Sequence, residues 1–250
     1  MTKLGLMIII VTMKKSSNNK IGVIDADSVI WRVAHSTRDS YTVEEALDRF
    51  DDVILDIVSD LSGECTSFEC YLTGPGNFRY EIAKTKPYKG NRDKSIEKPT
   101  HFQAIWDYAV SEWGFVVSQG NEADDIVGIK ATRHKDNCVI VHIDKDINMI
   151  PGKHFNFVKK VWYNISECEA IRNFYSQLLS GDATDNIPGL PGIGPKKAEK
   201  ILGDSCDELE LYKLVLEAYD GNLEYLKEQA DLIWIQQQER IEWQPPQVVK

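Results

Sequence analysis

The chain has 250 residues, 42% of them hydrophobic, with 39 Asp and Glu against 29 Lys and Arg for a formal charge of −10. That composition is enough for one large α/β core plus a smaller accessory unit. So acidic a balance argues against a polyanionic partner, unless the carboxylates are gathered as metal ligands, where bound Mg²⁺ or Mn²⁺ inverts the local field.

The apolar run from Leu4 to Val11 is too short for a membrane span, and no small-residue cleavage signal follows it. Residues 1–19 are expected to form an extension, disordered or an edge strand, with Met13 as an alternative start. Lys20 to Ile24 reads as a short strand ending at Asp25, with a helix from Ser28. Val43 to Leu61 has apolar residues at helical spacing, and Thr66 to Leu72 reads as a second strand closed by Gly74-Pro-Gly. His101 to Trp113 is an amphipathic helix, Phe115 to Ser118 a strand, Glu122 to Lys135 a helix, and Cys138 to Ile143 a strongly β-prone strand. The alternation predicts a mostly parallel central sheet flanked by helices on both faces, with ligands at the carboxyl ends of its strands. After Ile171 the pattern becomes helical, with segments over Asp207 to Tyr219 and Leu223 to Gln236, then a polar tail from Gln244.

Cys65, Cys70, Cys138, Cys168 and Cys206 form no CxxC pair and leave an odd thiol, which suits a reducing cytoplasm and small buried hydrophobes rather than a disulfide framework.

Acidic clusters recur where these segments end: IDAD with Asp25 and Asp27, NEADD with Glu122, Asp124 and Asp125, HIDKD with Asp144 and Asp146, and GDATDN with Asp182 and Asp185. The strand-end rule brings three of the four to one sheet edge. Crowded carboxylates resist ionising together without cations, and Mg²⁺ takes hard oxygen ligands while keeping several waters. Two such ions about 4 Å apart can activate water and stabilise the leaving oxygen of a phosphodiester.

The string from Gly189 to Ala198 places Gly192 and Gly194 before a helix, where backbone N–H groups can cradle phosphate. Lys196 and Lys197 add charge, so this element is expected to position a DNA backbone rather than read bases. It lacks the Walker pattern. Between Arg79 and Lys98, seven basic residues including Lys84, Lys86, Lys89 and Arg92 face three acidic ones, with Tyr80 and Tyr88 interleaved as candidates for stacking on an unpaired nucleotide. The five histidines are scattered without zinc-site spacing, and there is no serine nucleophile elbow.

From about Lys20 to Leu202 these residues resemble the 5′-nuclease family, which includes the 5′→3′ exonuclease domain of bacterial DNA polymerase I and free-standing bacteriophage flap endonucleases and exonucleases. Glu122-Ala-Asp-Asp125, Asp144-Lys-Asp146 and the string from Gly181 to Gly194 carry the likeness.

The resemblance implies a PIN-like catalytic domain over 20–170 with a basic clamp segment at 79–98, and a helical DNA-binding region over 171–243 with a helix–hairpin–helix at 181–202, leaving 244–250 as a tail. It implies Asp25, Glu122 and Asp124 at a first metal, with Asp125 orienting water or bridging. Asp146, Asp182 and Asp185, helped by Asp144, would serve a second. Lys89 and Arg92 would contact the scissile or adjacent phosphate, with Arg79 and Tyr88 in the clamp and Arg32 as a basic residue on the helix after Asp25. A K⁺ ion at the hairpin could bridge its carbonyls to duplex phosphate. The expected reaction is metal-dependent 5′→3′ exonuclease or 5′-flap endonuclease cleavage of DNA, with RNA–DNA primers a further substrate and 5′-phosphate products, by a cytoplasmic monomer, in the host cell if phage-encoded.

One position departs from the family pattern. Where the family ends its second strand with aspartate, this chain has Thr73-Gly74. Either Asp27 makes up the charge, or the first metal relies more on water and substrate phosphate. The rival readings are a metal-dependent PIN-type ribonuclease, which leaves the glycine hairpin unexplained, and a non-catalytic architectural DNA binder, which leaves the surplus carboxylates unexplained.

Overall fold

A computed structural model describes residues 20–93, 95, 97–239 and 242–247. The expected N-terminal extension, the choice between Met1 and Met13, and Lys94 lie outside them. Six strands, β1 (Lys20–Asp25), β2 (Cys65–Leu72), β3 (Val116–Val117), β4 (Cys138–His142), β5 (Gly152–Asn156) and β6 (Val161–Ile165), form one sheet in the order β3-β2-β1-β4-β5-β6. All neighbouring pairs are parallel except β5 with β6. Five helices accompany it: α1 (Asp27–Ser36), α2 (Val43–Leu61), the single turn α3 (Arg79–Ile82), α4 (Phe102–Ser111) and α5 (Ala123–His134).

Period-two alternation sends successive strand residues to opposite faces. Ile24, Val139 and Val141 join a core with Val29, Ile30, Phe50, Ile54 and Ile105, whereas Val23 and Ile140 pack with Val127 and Ala131 of α5. Both faces are buried, which is why β1 and β4 read as nearly unbroken apolar runs. Thr42 and Glu45 start α2 with a capping box: the Thr42 hydroxyl accepts from Glu45 N at 3.2 Å and the Glu45 carboxylate from Thr42 N at 2.7 Å.

The remaining helices, α6 (Glu167–Ser180), α7 (Pro195–Leu202), α8 (Glu208–Ala218) and α9 (Leu223–Ile233), surround a second core containing Phe174, Leu178, Leu202, Leu211, Val215 and Leu226. The boundary expected between residues 170 and 171 falls inside α6, whose capping box begins at Ser166. Trp243 packs back into the same core.

The sheet is larger than the sequence reading had it. The β5–β6 hairpin escaped it because HFN and VWYNI mix polar residues into runs with weak alternation. β3 shrinks to two residues because Phe115 donates its N–H to Ala109 O at 3.0 Å and so belongs to the turn after α4. The cysteine expectation needs correction: Cys65, Cys70 and Cys138 are buried free thiols, but Cys168 and Cys206 form a disulfide between the first turn of α6 and the segment before α8. Their spacing of 38 residues is not a recognisable motif.

Function is positioned by the strand order. β1 and β4 are neighbours whose following connections run to opposite sides, from β1 to β2 and from β4 to β5, so a crevice opens between their carboxyl ends.

Candidate active site

Asp25 is the last residue of β1, and Asp27 opens α1, where a carboxylate complements the helix dipole. Both face a crevice of about 600 Å³ that is also lined by Thr73, Lys89, Arg92, Glu122, Asp124 and Asp144. Burial, then the charges of Asp27 and Asp144, pushes the Asp25 carboxyl up to about 8. Loss of solvent likewise raises Asp124 well above the usual carboxylate range, reinforced by Asp125 and Glu122. Burial also raises Asp27, against hydrogen bonds from Thr73.

Thr73, the residue at the place of the missing aspartate, joins two of these elements. Its backbone N–H donates to Asp27 Oδ1 at 3.0 Å, while its hydroxyl accepts from Ala123 N at 2.9 Å in the first turn of α5. Gly74 is required beside it, because a Cβ there would come within 2.0 Å of Ser118 O.

The second acidic group lies where the sheet meets the helical region. Asp144 Oδ1 accepts from Asp146 N at 2.9 Å, and Gln177 Nε2 donates to Asp146 Oδ1 at 3.0 Å and Asp182 Oδ2 at 3.3 Å. Burial, followed by Asp144 and Asp182, raises the Asp146 carboxyl to about 7. Asp182 and Asp185 sit on a loop closed by paired backbone bonds between Asp182 and Ile187, both 2.8 Å. Gly181 and Gly189 brace its ends. Both have positive φ, and a Cβ on Gly189 would lie 2.3 Å from Gly181 N.

The basic segment folds against this loop. Lys89 Nζ contacts the Glu122 carboxylate and lies 3.5 Å from Asp185, and Arg92 Nη2 pairs with Asp185 Oδ1 at 2.8 Å. Burial opposes the Glu122 charge, but Lys89 and Arg79 outweigh it and hold that carboxyl below its usual range. Lys89 and Arg92 thus lie between the two acidic groups. Lys84, Lys86 and Arg32 are exposed, with Lys84 Nζ 4.0 Å from Glu224. Gly192 and Gly194 precede α7, and Lys196 and Lys197 are exposed on its first turn; Lys197 Nζ donates to Gly192 O at 2.8 Å.

Three expectations are corrected. Asp125 is fully buried, and its oxygens are saturated by Arg79 at 2.7 and 2.8 Å, Gln236 N at 3.0 Å and Glu122 N at 3.1 Å, so it can neither bind metal nor orient water in the crevice. Arg79, only 2% exposed, spends its donors on Asp125, Leu232 O and Trp234 O and cannot reach DNA. Tyr88, 4% exposed, cannot stack on a base. Its hydroxyl lies 2.7 Å from both Glu122 Oε2 and Asp185 Oδ2.

Other residues were missed. Trp31, 40% exposed, lies at the mouth of the crevice, its ring 4.5 Å from that of Phe102. With Tyr80, Lys98 and Trp106 it lines an adjoining cavity of about 500 Å³. Trp31 follows Asp25 by six residues and directly follows the apolar pair Val29-Ile30, so on sequence alone it reads as core. His142 braces the HIDKD loop from behind, donating from Nδ1 to Asp144 O at 2.5 Å. Burial and the neighbouring His154 lower its pKa to about 3, so the ring is neutral.

Burial and neighbouring carboxylates together raise Asp25, Asp124 and Asp146, and the donor set is all oxygen. That set fits a hard divalent cation. Among the described residues no three of these side chains converge tightly enough to close a coordination shell alone. A site completed by water and substrate phosphate fits the same ion. No helix among the described residues is long and apolar enough to cross a membrane.

No protein-family profile matches the chain. It is 25% identical over 245 residues to a 5′-3′ exonuclease of Mycoplasmopsis pulmonis, covering 88% of this chain and 80% of that one. It is 27% identical over 166 residues to flap endonuclease Xni of Pectobacterium atrosepticum, covering 60% of this chain and 62% of the relative. The fold is similar to that of the bacteriophage T5 D15 protein crystallised with metal ions, with a TM-score of 0.67 at 17% identity over 86% of this chain and 89% of that one. The acidic crevice at the strand ends, reached by a basic segment, thus goes with similarity in sequence to a 5′-3′ exonuclease and a flap endonuclease and with similarity in fold to the T5 D15 protein.

Proposed function

We propose that the protein is a divalent-metal-dependent, structure-specific 5′ nuclease that hydrolyses DNA phosphodiesters near a 5′ end, at a flap or nick, leaving 5′-phosphate products. The observation that carries this reading is the meeting, in one crevice at the strand ends, of Asp25, Asp124 and Asp144 with Lys89 and Arg92, where burial and like charge make Asp25 and Asp124 costly to ionise.

Asp25, Asp27, Glu122 and Asp124 would hold one Mg²⁺ or Mn²⁺ ion, and Asp144, Asp146, Asp182 and Asp185 a second. When bound, such ions activate water and stabilise a leaving oxygen. Thr73 holds Asp27 toward the crevice through its N–H, so the charge absent from the end of β2 is supplied from the start of α1. Lys89 and Arg92 bind the non-bridging oxygens of the phosphate and offset the charge that grows there. Trp31, backed by the buried ring of Phe102, presents an aromatic face beside the crevice for an unpaired 5′ nucleotide. The turn at Gly192 and Gly194 with the first turn of α7 forms the second half of a helix–hairpin–helix that grips duplex phosphate, and Lys196 and Lys197 add charge without reading sequence. A K⁺ ion at that hairpin would share the Gly192 carbonyl with Lys197.

Cleavage of end-labelled nicked duplex, 5′-flap and RNA–DNA hybrid by the wild type and by D146N/D182N tests the proposal. The wild type is expected to release 5′-phosphate products only with Mg²⁺ or Mn²⁺, and the double variant to bind duplex without cutting it. Full activity of the double variant would sink the assignment; a preference for single-stranded RNA would favour a ribonuclease, and an intact 5′ flap with Mg²⁺ an architectural role.

A further inference from the structure

The clamp segment and the second acidic loop are joined by a reciprocal set of hydrogen bonds at a place where both backbones take an unfavourable conformation. Lys89 and Asn186 are non-glycine residues in the left-handed region, with φ of 53° and 61°. A side chain rarely adopts that region unless its surroundings hold it there. Here each residue is held by the other's loop. Lys89 N donates to Asp185 O at 2.8 Å, and Asn186 Nδ2 donates to Pro87 O at 2.8 Å. Asn91 Nδ2 closes the far side on Ala183 O at 2.6 Å. Within the clamp, Gly90 N and Arg92 N turn back to Pro87 O at 2.9 Å and Lys89 O at 3.1 Å, so Pro87 O is shared by the internal turn and the Asn186 amide. A Cβ on Gly90 would meet Pro87 O at 2.9 Å, leaving no slack in the turn.

We propose that Asn186 is a positioning residue whose side-chain amide locks the Pro87–Arg92 turn onto the Asp182–Asp185 loop, so that Lys89 and Arg92 reach the phosphate only in register with the acidic groups. The inference rests on the nuclease reading for the role of those two cations. Asn is suited to both demands, because it tolerates positive φ and supplies a donor of the right length. Misplacing a reacting group by about 1 Å can cost on the order of a hundredfold in rate. Loss of the amide should therefore slow the chemical step rather than weaken DNA binding, since the exposed lysines of α7 and the clamp remain.

The test compares wild type with N186G, which keeps the left-handed turn but removes the amide, and N186D, which keeps the length but replaces the donor by an oxygen. Single-turnover cleavage of a 5′-flap duplex in Mg²⁺, DNA affinity in Ca²⁺, and hydrogen exchange of the peptide containing residues 87–92 are measured on each. Expected for both variants are a rate about 10- to 100-fold lower, affinity within about twofold, and faster exchange at Lys89. A wild-type rate in N186G, or a loss confined to affinity, overturns the proposal. Should N186G fail to fold, N91A releases the opposite end of the lock and is judged by the same criteria. Absence of cleavage by the wild type on every substrate would instead be the failure of the nuclease reading, and exchange at Lys89 would still decide whether Asn186 locks the turn.

Discussion

Thr73 gives its backbone N–H to the carboxylate of Asp27 across 46 positions of sequence, at 3.0 Å. A neutral residue thereby orients a carboxylate, at the end of the strand where the family that this chain resembles carries an aspartate. If Asp27 stands in for that aspartate, D27N should lower cleavage by about a hundredfold or more and raise the Mg²⁺ concentration for half-maximal rate. Adding T73D to D27N should restore most of the loss, because it returns a carboxylate to the same crevice. Mg²⁺ titrations of the single and double variants check this, and a double variant as slow as D27N would refute the exchange.

Arg79 and Asp125 form a bidentate pair sealed from solvent, tying α5 to the end of α9. Removing one partner of a buried pair strands the other charge at a cost of about 3–5 kcal/mol. D125A is therefore expected to lower Tm by roughly 10 °C, taking about 2–4 °C per kcal/mol for a chain of this size. Calorimetry on D125A and D124A separates the roles: D124A should abolish Mg²⁺-dependent cleavage while keeping the fold.

Stability should depend on pH in an unusual direction. Asp25 and Asp146 keep their protons up to about 8 and about 7 in the folded chain, against 3.8 for an ordinary aspartate. The folded state then binds more protons than the unfolded one between those values, so stability falls as pH rises from about 4 to 8. Thermal melts with chelator should show Tm declining over this interval. Mg²⁺ should raise Tm most at the alkaline end, where protons no longer compete with it for these carboxylates.

Trp31 offers an exposed ring beside the acidic crevice. Base stacking on an aromatic side chain contributes about 1–3 kcal/mol. W31A should accordingly weaken binding of a 5′-flap substrate by about 5- to 150-fold while sparing a fully paired duplex, which fluorescence anisotropy on the two DNAs would resolve.

The disulfide between Cys168 and Cys206 predicts three free thiols in the unreduced, denatured chain and five after reduction. Mass spectrometry after alkylation counts them.

Much of the molecule is legible from its residues. Unbroken apolar runs such as those of β1 and β4, separated by amphipathic helices, specify a parallel sheet, and acidic residues placed just past those runs must then gather at its carboxyl edge. Asp25, Asp27, Glu122, Asp124 and Asp144 were found this way, because strand direction alone determines the edge to which they belong. What the chain order could not say is which polar side chains within a motif face the crevice. Asp124 and Asp125 are adjacent and chemically identical, yet the helical rotation of about 100° per residue turns one toward the acidic crevice and the other into the core to meet Arg79. Arg79 and Tyr88 read as surface residues of a basic loop until α9 and the Asp182–Asp185 loop pack over them. The meeting of Cys168 with Cys206, of Asn186 with Pro87 and of Thr73 with Asp27 likewise depends on how separate segments dock, a choice made by the burial of whole helix faces and written in no local pattern.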